Sequence, residues 1–121
     1  MKQQAEVLER QKQMGERLAA ARAHAQAGEH EDCYRLATDG LGLDPENLEF
    51  KRLQEQSRQA LAKRRKVEEL LQRAGQQQQS EGPQAVLRTV EELLALEPGN
   101  TKASELKQSA TEGLRRQQRV R

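Results

Sequence analysis

Four side chains toward the end of the first third could in principle hold a metal ion: His24, His30, Asp32 and Cys33. His30 and Cys33 are three residues apart and can share one helix face, as imidazole and thiolate ligands require. A structural zinc site needs more donors, and Cys33 is the only cysteine of the chain. It is better read as a small apolar residue in a helix contact. Paired carboxylates occur at Glu68-Glu69 and Glu91-Glu92, but adjacent residues on a helix diverge by about 100°, and no apolar neighbours would shift their proton affinity. No Gly-rich phosphate loop, no Ser-His-Asp set and no metal-spacing motif accompanies them. A run of cations, Lys63-Arg64-Arg65-Lys66, with Arg115, Arg116, Arg119 and Arg121 further on, could meet phosphates. Four consecutive residues wrap around a helix, however, and stacking aromatics are missing. The run reads as a solvated face. The expectation is therefore a non-enzyme with no cofactor and no bound metal, and with nucleic acid a minor alternative.

The elements that carry these residues are legible from composition. Charged residues make up 33% of the 121, hydrophobic ones only 34%, and there is one Phe, one Tyr and no Trp. That balance is too poor in apolar bulk for a deep pocket and suits a helical chain rich in Ala, Leu, Glu, Gln, Lys and Arg. No stretch approaches a membrane span of about 18 apolar residues, and nothing near Met1 resembles a signal peptide. With one cysteine, no internal disulfide can form, and a cytoplasmic setting is expected.

An internal repeat organises the chain. Leu43-Asp44-Pro45-Glu46-Asn47 and Leu96-Glu97-Pro98-Gly99-Asn100 lie 53 residues apart. The same gapless offset aligns Leu8 with Leu61, Leu18 with Leu71, Ala21 with Ala74, Leu41 with Leu94 and Leu53 with Leu106. Apolar positions at helical spacing recur together with the turn residues, as stacked units require. The reading is five helices: a long one ended by Gly28, a short one from about His30 to Leu43, and a very long one from Leu48 to about Gln79. A short helix from Gln84 to Leu96 and a last one that starts after Asn100 and runs to about Arg116 complete the set. The Gln76-Gln77-Gln78-Gln79 run is the end of the long central helix. Predicted core positions are Leu18, Ala21, Cys33, Ala37, Leu41, Leu71, Ala74, Val86, Val90 and Leu94.

The stretch Gly28-Glu29-His30-Glu31-Asp32-Cys33, continued by Leu41-Gly42-Leu43-Asp44-Pro45-Glu46-Asn47, resembles the second half of a tetratricopeptide repeat. Cys33 falls at the family's small-residue position and Pro45 at its closing proline; in unit two Val86 and Pro98 take those places. Arg17 stands where the family carries a bulky aromatic, and Ala21 and Ala74 where it carries a glycine. The family period is also shorter, so the chain looks like tetratricopeptide units separated by elongated helices, similar to helical-repeat segments of bacterial signalling proteins. The resemblance implies an all-α helical repeat, an α-solenoid, in a single domain 1–121. Unit one would span about 5–57 and unit two about 58–110, with a frayed tail at 117–121.

What the resemblance implies for function is a non-catalytic protein–protein interaction module, a scaffold or regulatory segment of a larger protein, that binds a protein or peptide. Its groove would be lined by Leu18, Arg22 and Ala25, and by Leu71, Gly75 and Gln78 at the matching positions of unit two. Of the positions that grip a terminal carboxylate in part of that family, here Gly15, Leu18, Ala19 and Arg22, only Arg22 could contribute, which disfavours such a clamp. The alternative is a helical spacer or homo-oligomerisation segment. Charge supports that alternative, because it alternates in blocks: residues 1–50 carry net −4, 51–66 net +6, 67–100 net −4 and 101–121 net +4. Such blocks orient encounters between copies more than they hold them together.

Overall fold

Among the residues that the computed structural model describes, 2–120, every regular element is an α-helix: α1 (Lys2–Gln26), α2 (His30–Leu43), α3 (Leu48–Ser80), α4 (Pro83–Leu96) and α5 (Thr101–Val120). Adding 53 to the bounds of α2 gives those of α4, and adding 53 to the start of α3 gives the start of α5. The protein is all-α, and the repeat read from the sequence is a repeat of helix boundaries. Contacts gather into two compact units, Met1–Ala62 and Lys63–Arg121. The first holds α1, α2 and the N-terminal half of α3; the second holds the rest of α3, α4 and α5. Helix α3 is 33 residues long and continues unbroken through Lys63. Helix α5 runs past Arg116 to Val120, so 117–120 are helical, while Arg121 lies outside the described residues.

The matching turns close in the same way, bond for bond. After α2 the Asp44 N–H donates to the Gly40 carbonyl at 2.9 Å, and after α4 the Glu97 N–H donates to the Leu93 carbonyl at 2.9 Å. Backbone angles agree as well: Asp44 has φ −141° and ψ 84°, Glu97 φ −142° and ψ 83°. Pro45 and Pro98 follow, and a proline there excludes a helical residue before it. The Asn47 Oδ1 then accepts the N–H of Phe50 at 3.0 Å, and the Asn100 Oδ1 that of Ala103 at 2.9 Å. Both asparagines cap the next helix by satisfying a backbone donor that lacks an intrahelical partner.

The turns that open α2 and α4 differ. Gly28, at φ 77°, ends α1: its N–H reaches the Ala25 carbonyl at 3.2 Å while the Glu29 N–H reaches the His24 carbonyl at 2.8 Å. That double closure with a left-handed glycine is the Schellman motif. In unit two the left-handed residue comes one position later, at Gly82, with φ 102° and ψ −179°. Pro83 forces the extended ψ on the residue before it, and only glycine combines that with a positive φ.

Each unit is held by buried small or β-branched residues at equivalent positions: Ala21, Cys33 and Ala37 in the first, Ala74, Val86 and Val90 in the second, all fully buried. Four predicted core residues need correction. Leu18, Leu41, Leu71 and Leu94 are half-buried, and Leu70 and Leu93 are the fully buried members of the Leu70–Leu71 and Leu93–Leu94 pairs. Neighbouring leucines differ by about 100° around a helix, and periodicity does not choose between them. Phe50, Val67, Ala103 and Ala110 complete the buried apolar set.

The two units solve one packing problem with opposite residue sizes. A Cβ added to Gly40 on α2 would sit 2.5 Å from the ring of Phe50 on α3. At the equivalent positions of unit two the large residue is Leu93, on α4, and the small one Ala103, on α5, both in one packed cluster. Volume is exchanged across the contact, which cores tolerate when the total is kept. We expect Gly40→Ala to destabilise by about 1–3 kcal/mol through overpacking, despite alanine's better helix propensity, and Gly40→Ala/Phe50→Leu to recover most of the loss in urea unfolding. Asn47→Ala and Asn100→Ala should each cost about 0.5–2 kcal/mol in the same assay, because the caps are equivalent.

Candidate functional site

In unit two, α3 and α5 leave an open groove of about 590 Å³ between them. Helix α3 contributes Leu71, Gln72, Gly75 and Gln78, and α5 contributes Lys102, Glu105, Leu106 and Ser109. Both sets follow the spacing that keeps residues on one face of a helix. Leu71 and Leu106 pack against the unit-two core, so the apolar part of the groove is anchored to the fold. Gly75 leaves a gap in the α3 wall, and a Cβ built there meets nothing within 4 Å. Lys102 and Glu105 stand exposed on α5, three residues apart.

The predicted groove residues therefore divide. Leu71, Gly75 and Gln78 are brought together around one cavity. Leu18, Arg22 and Ala25 share the equivalent face of α1, but the Arg22 guanidinium donates a hydrogen bond and ion pair to Glu49 at the start of α3. Arg22 is the counterpart of Gly75, and Glu49 that of Lys102. In unit one, then, a side-chain bridge spans the place that is open in unit two. Both partners are about half exposed, 54% and 49%, so the bridge matters less for stability than for occupying the space. The residues missed from sequence, Lys102, Glu105 and Ser109, belong to α5. The match of Leu53 with Leu106 marked that helix, but no sequence signal says which of its faces meets α3.

The candidate metal ligands rearrange. His24 Nδ1 lies 3.2 Å from Glu29 Oε1 and 4.0 Å from Asp32 Oδ2, and the three ligand atoms fall within 4.8 Å of one another. Cys33 is fully buried in the core and takes no part, and Glu29 stands in for it. The Arg35 guanidinium holds Asp32 Oδ1 at 2.8 Å, placing a fixed positive charge beside any cation that entered. The cluster joins the last turn of α1 to the first turn of α2, where acidic groups complement the helix N-terminus. Its counterparts in unit two are Gln77, Gly82 and Ala85, where the turn has a different geometry. Gln77 is instead used for packing: its Oε1 accepts the hydroxyl of the nearly buried Thr89 at 2.6 Å, tying α3 to α4.

Of the carboxylate pairs, Glu68, Glu69, Glu91 and Glu92 are all exposed, and Glu92 lies 3.9 Å from Arg73. Lys63, Arg64, Arg65 and Lys66 are exposed as well. No helix among the described residues is long and apolar enough to cross a membrane. The chain matches no family model, no curated protein and no solved structure in comparisons with each.

The Glu55 carboxyl has an altered proton affinity. Glu55 accepts two hydrogen bonds from Arg58, at 2.9 and 2.6 Å, and a third from Gln59 at 3.1 Å. The Arg58 hydrogen bonds above all, with its charge adding, hold the Glu55 carboxyl below its ordinary value of 4.5. A lowered value in the folded state means a contribution present at neutral pH and lost as pH falls below the ordinary carboxylate range. A carboxyl carbon NMR titration should place the Glu55 midpoint below 4.5, and Arg58→Gln should move it upward.

Proposed function

We propose that this chain is a non-catalytic protein–protein interaction module built of two tetratricopeptide-like units, a scaffold or regulatory segment whose contact surface is the α3–α5 groove of unit two. One observation carries this reading. Two units with matching closing turns, asparagine caps and several matching buried positions differ on this face, where unit one is bridged by Arg22–Glu49 and unit two is open at Gly75. A repeat that served only as a spacer has no need of that difference. An anchored apolar floor with a polar rim is the usual form of a peptide-binding groove, with a helix or extended segment laid along it.

A second reading, self-association, is favoured by α1. Val7 and Leu8 are 55% and 65% exposed on one face, flanked by Gln4 and Gln11. The equivalent face of α3 carries the buried Ser57 and the half-buried Leu61. Two exposed apolar side chains are a small area beside the roughly 1,200 Å² of a stable interface, so this reading ranks second.

One variant separates the two readings. Gly75→Arg/Lys102→Glu copies the unit-one bridge into unit two. It should fold at least as well as the native chain, since the added side chain has room and a helix-interior glycine is lost. Partners crosslinked to native protein through a photoreactive group at Ser109 should be lost on this variant, with its circular dichroism unchanged. Sedimentation velocity reports the alternative: a dimer that survives the bridge but dissociates in Leu8→Gln identifies a self-association segment and overturns the groove.

A further inference from the structure

Resting on that reading, we infer what chemistry the groove takes: a short helical protein segment with one apolar anchor, flanked by a carboxylate on one side and a cation on the other. The anchor follows from Leu71 and Leu106, half-buried side chains that back onto the unit-two core and turn their remaining surface to the groove. Gly75 admits close approach at mid-groove, since nothing lies within 4 Å of where its Cβ would be. The flanking charges follow from Lys102 and Glu105. Among the described residues neither has an ion-pair partner, whereas Glu49, the counterpart of Lys102, is taken by Arg22. Unit two thus presents, unpaired, two charges of opposite sign on one helix edge. Their three-residue separation corresponds to about 4.5 Å along the α5 axis, the pitch at which i and i+3 side chains of an opposing helix repeat.

The pair excludes simpler occupants. A uniformly acidic segment, or the phosphates of a nucleic acid, would satisfy Lys102 and bring a second negative charge onto Glu105. Like charges brought together at an interface cost more than the single favourable contact returns. A purely apolar segment would leave both charges partly desolvated and unpaired. A carboxylate over Lys102 and an ammonium or guanidinium over Glu105 satisfies both. It also fixes the direction of the segment, with its acidic side toward the start of α5.

The test is a phage-displayed library of random peptides of roughly 12 residues, about three helical turns, panned on the full chain with the Gly75→Arg/Lys102→Glu variant as soluble competitor. The expected winners carry Leu, Ile or Met between an acidic and a basic residue three or four positions apart. Synthetic fluorescent copies should bind the native chain about tenfold more tightly than copies with the two charges exchanged. In Lys102→Glu/Glu105→Lys the preference should invert, because both rim pairs change sign. Winners without a charge pattern, or an affinity indifferent to the double reversal, would overturn the inference and leave the groove as an unselective peptide site. If no sequence resists the competitor, the groove is not a peptide site, and the reading it rests on falls with it.

Discussion

Close approach of helix backbones is the condition on which both units depend. With 34% hydrophobic residues and a single Phe, the chain cannot fill wide gaps between helices. Half of the fully buried apolar residues among those described are accordingly small, Ala21, Cys33, Ala37, Ala74 and Ala103, with the buried Gly40 beneath the Phe50 ring. Near contact keeps apolar surface in reach of apolar surface and leaves few voids. It also makes the fold intolerant of added volume at those positions. The long polar side chains that dominate the composition are confined to the outside of each helix.

Much of this was legible in the sequence, and the limits have physical causes. Helix ends were read accurately wherever a residue's own backbone preference decides them: Gly28 at positive φ, Asn47 as a cap, the start of α5 after Asn100, and Pro45 and Pro98 after α2 and α4. Positions where small residues face one another, Ala21, Cys33 and Ala37 with their counterparts, were also recovered. What failed was rotation about the helix axis. Leu70 was passed over for Leu71, and Leu93 for Leu94, since two adjacent leucines leave the apolar direction undetermined to within about 100°. The same limit hid the α5 side of the groove. Leu71, Gly75 and Gln78 were named, whereas Lys102 and Glu105 required knowing which face of α5 meets α3.

Comparing the units separates what the repeat must keep from what it is free to vary. The closing turns, the asparagine caps after them and the bounds of α2 and α4 are kept to within a fraction of an ångström or a degree or two, while the opening turns are not. Large and small residues may trade places across a contact, as Gly40–Phe50 and Leu93–Ala103 do, because only their sum matters to packing. Surface charge is the freest: Arg22 and Glu49 become Gly75 and Lys102, while the buried alanine beside the first of them, Ala21 or Ala74, is kept. A repeat of this kind can acquire a different surface in one unit without altering the scaffold of either.

Cys33 has a consequence that packing alone does not suggest. It is the sole thiol of the chain, it is fully buried, and its counterpart in unit two is Val86. A thiol in that position reacts with a labelling reagent only when α1 and α2 part, so its modification rate measures how often the first unit breathes. The chain thus carries a clock for one of its two units, with no label to introduce and no signal from the other.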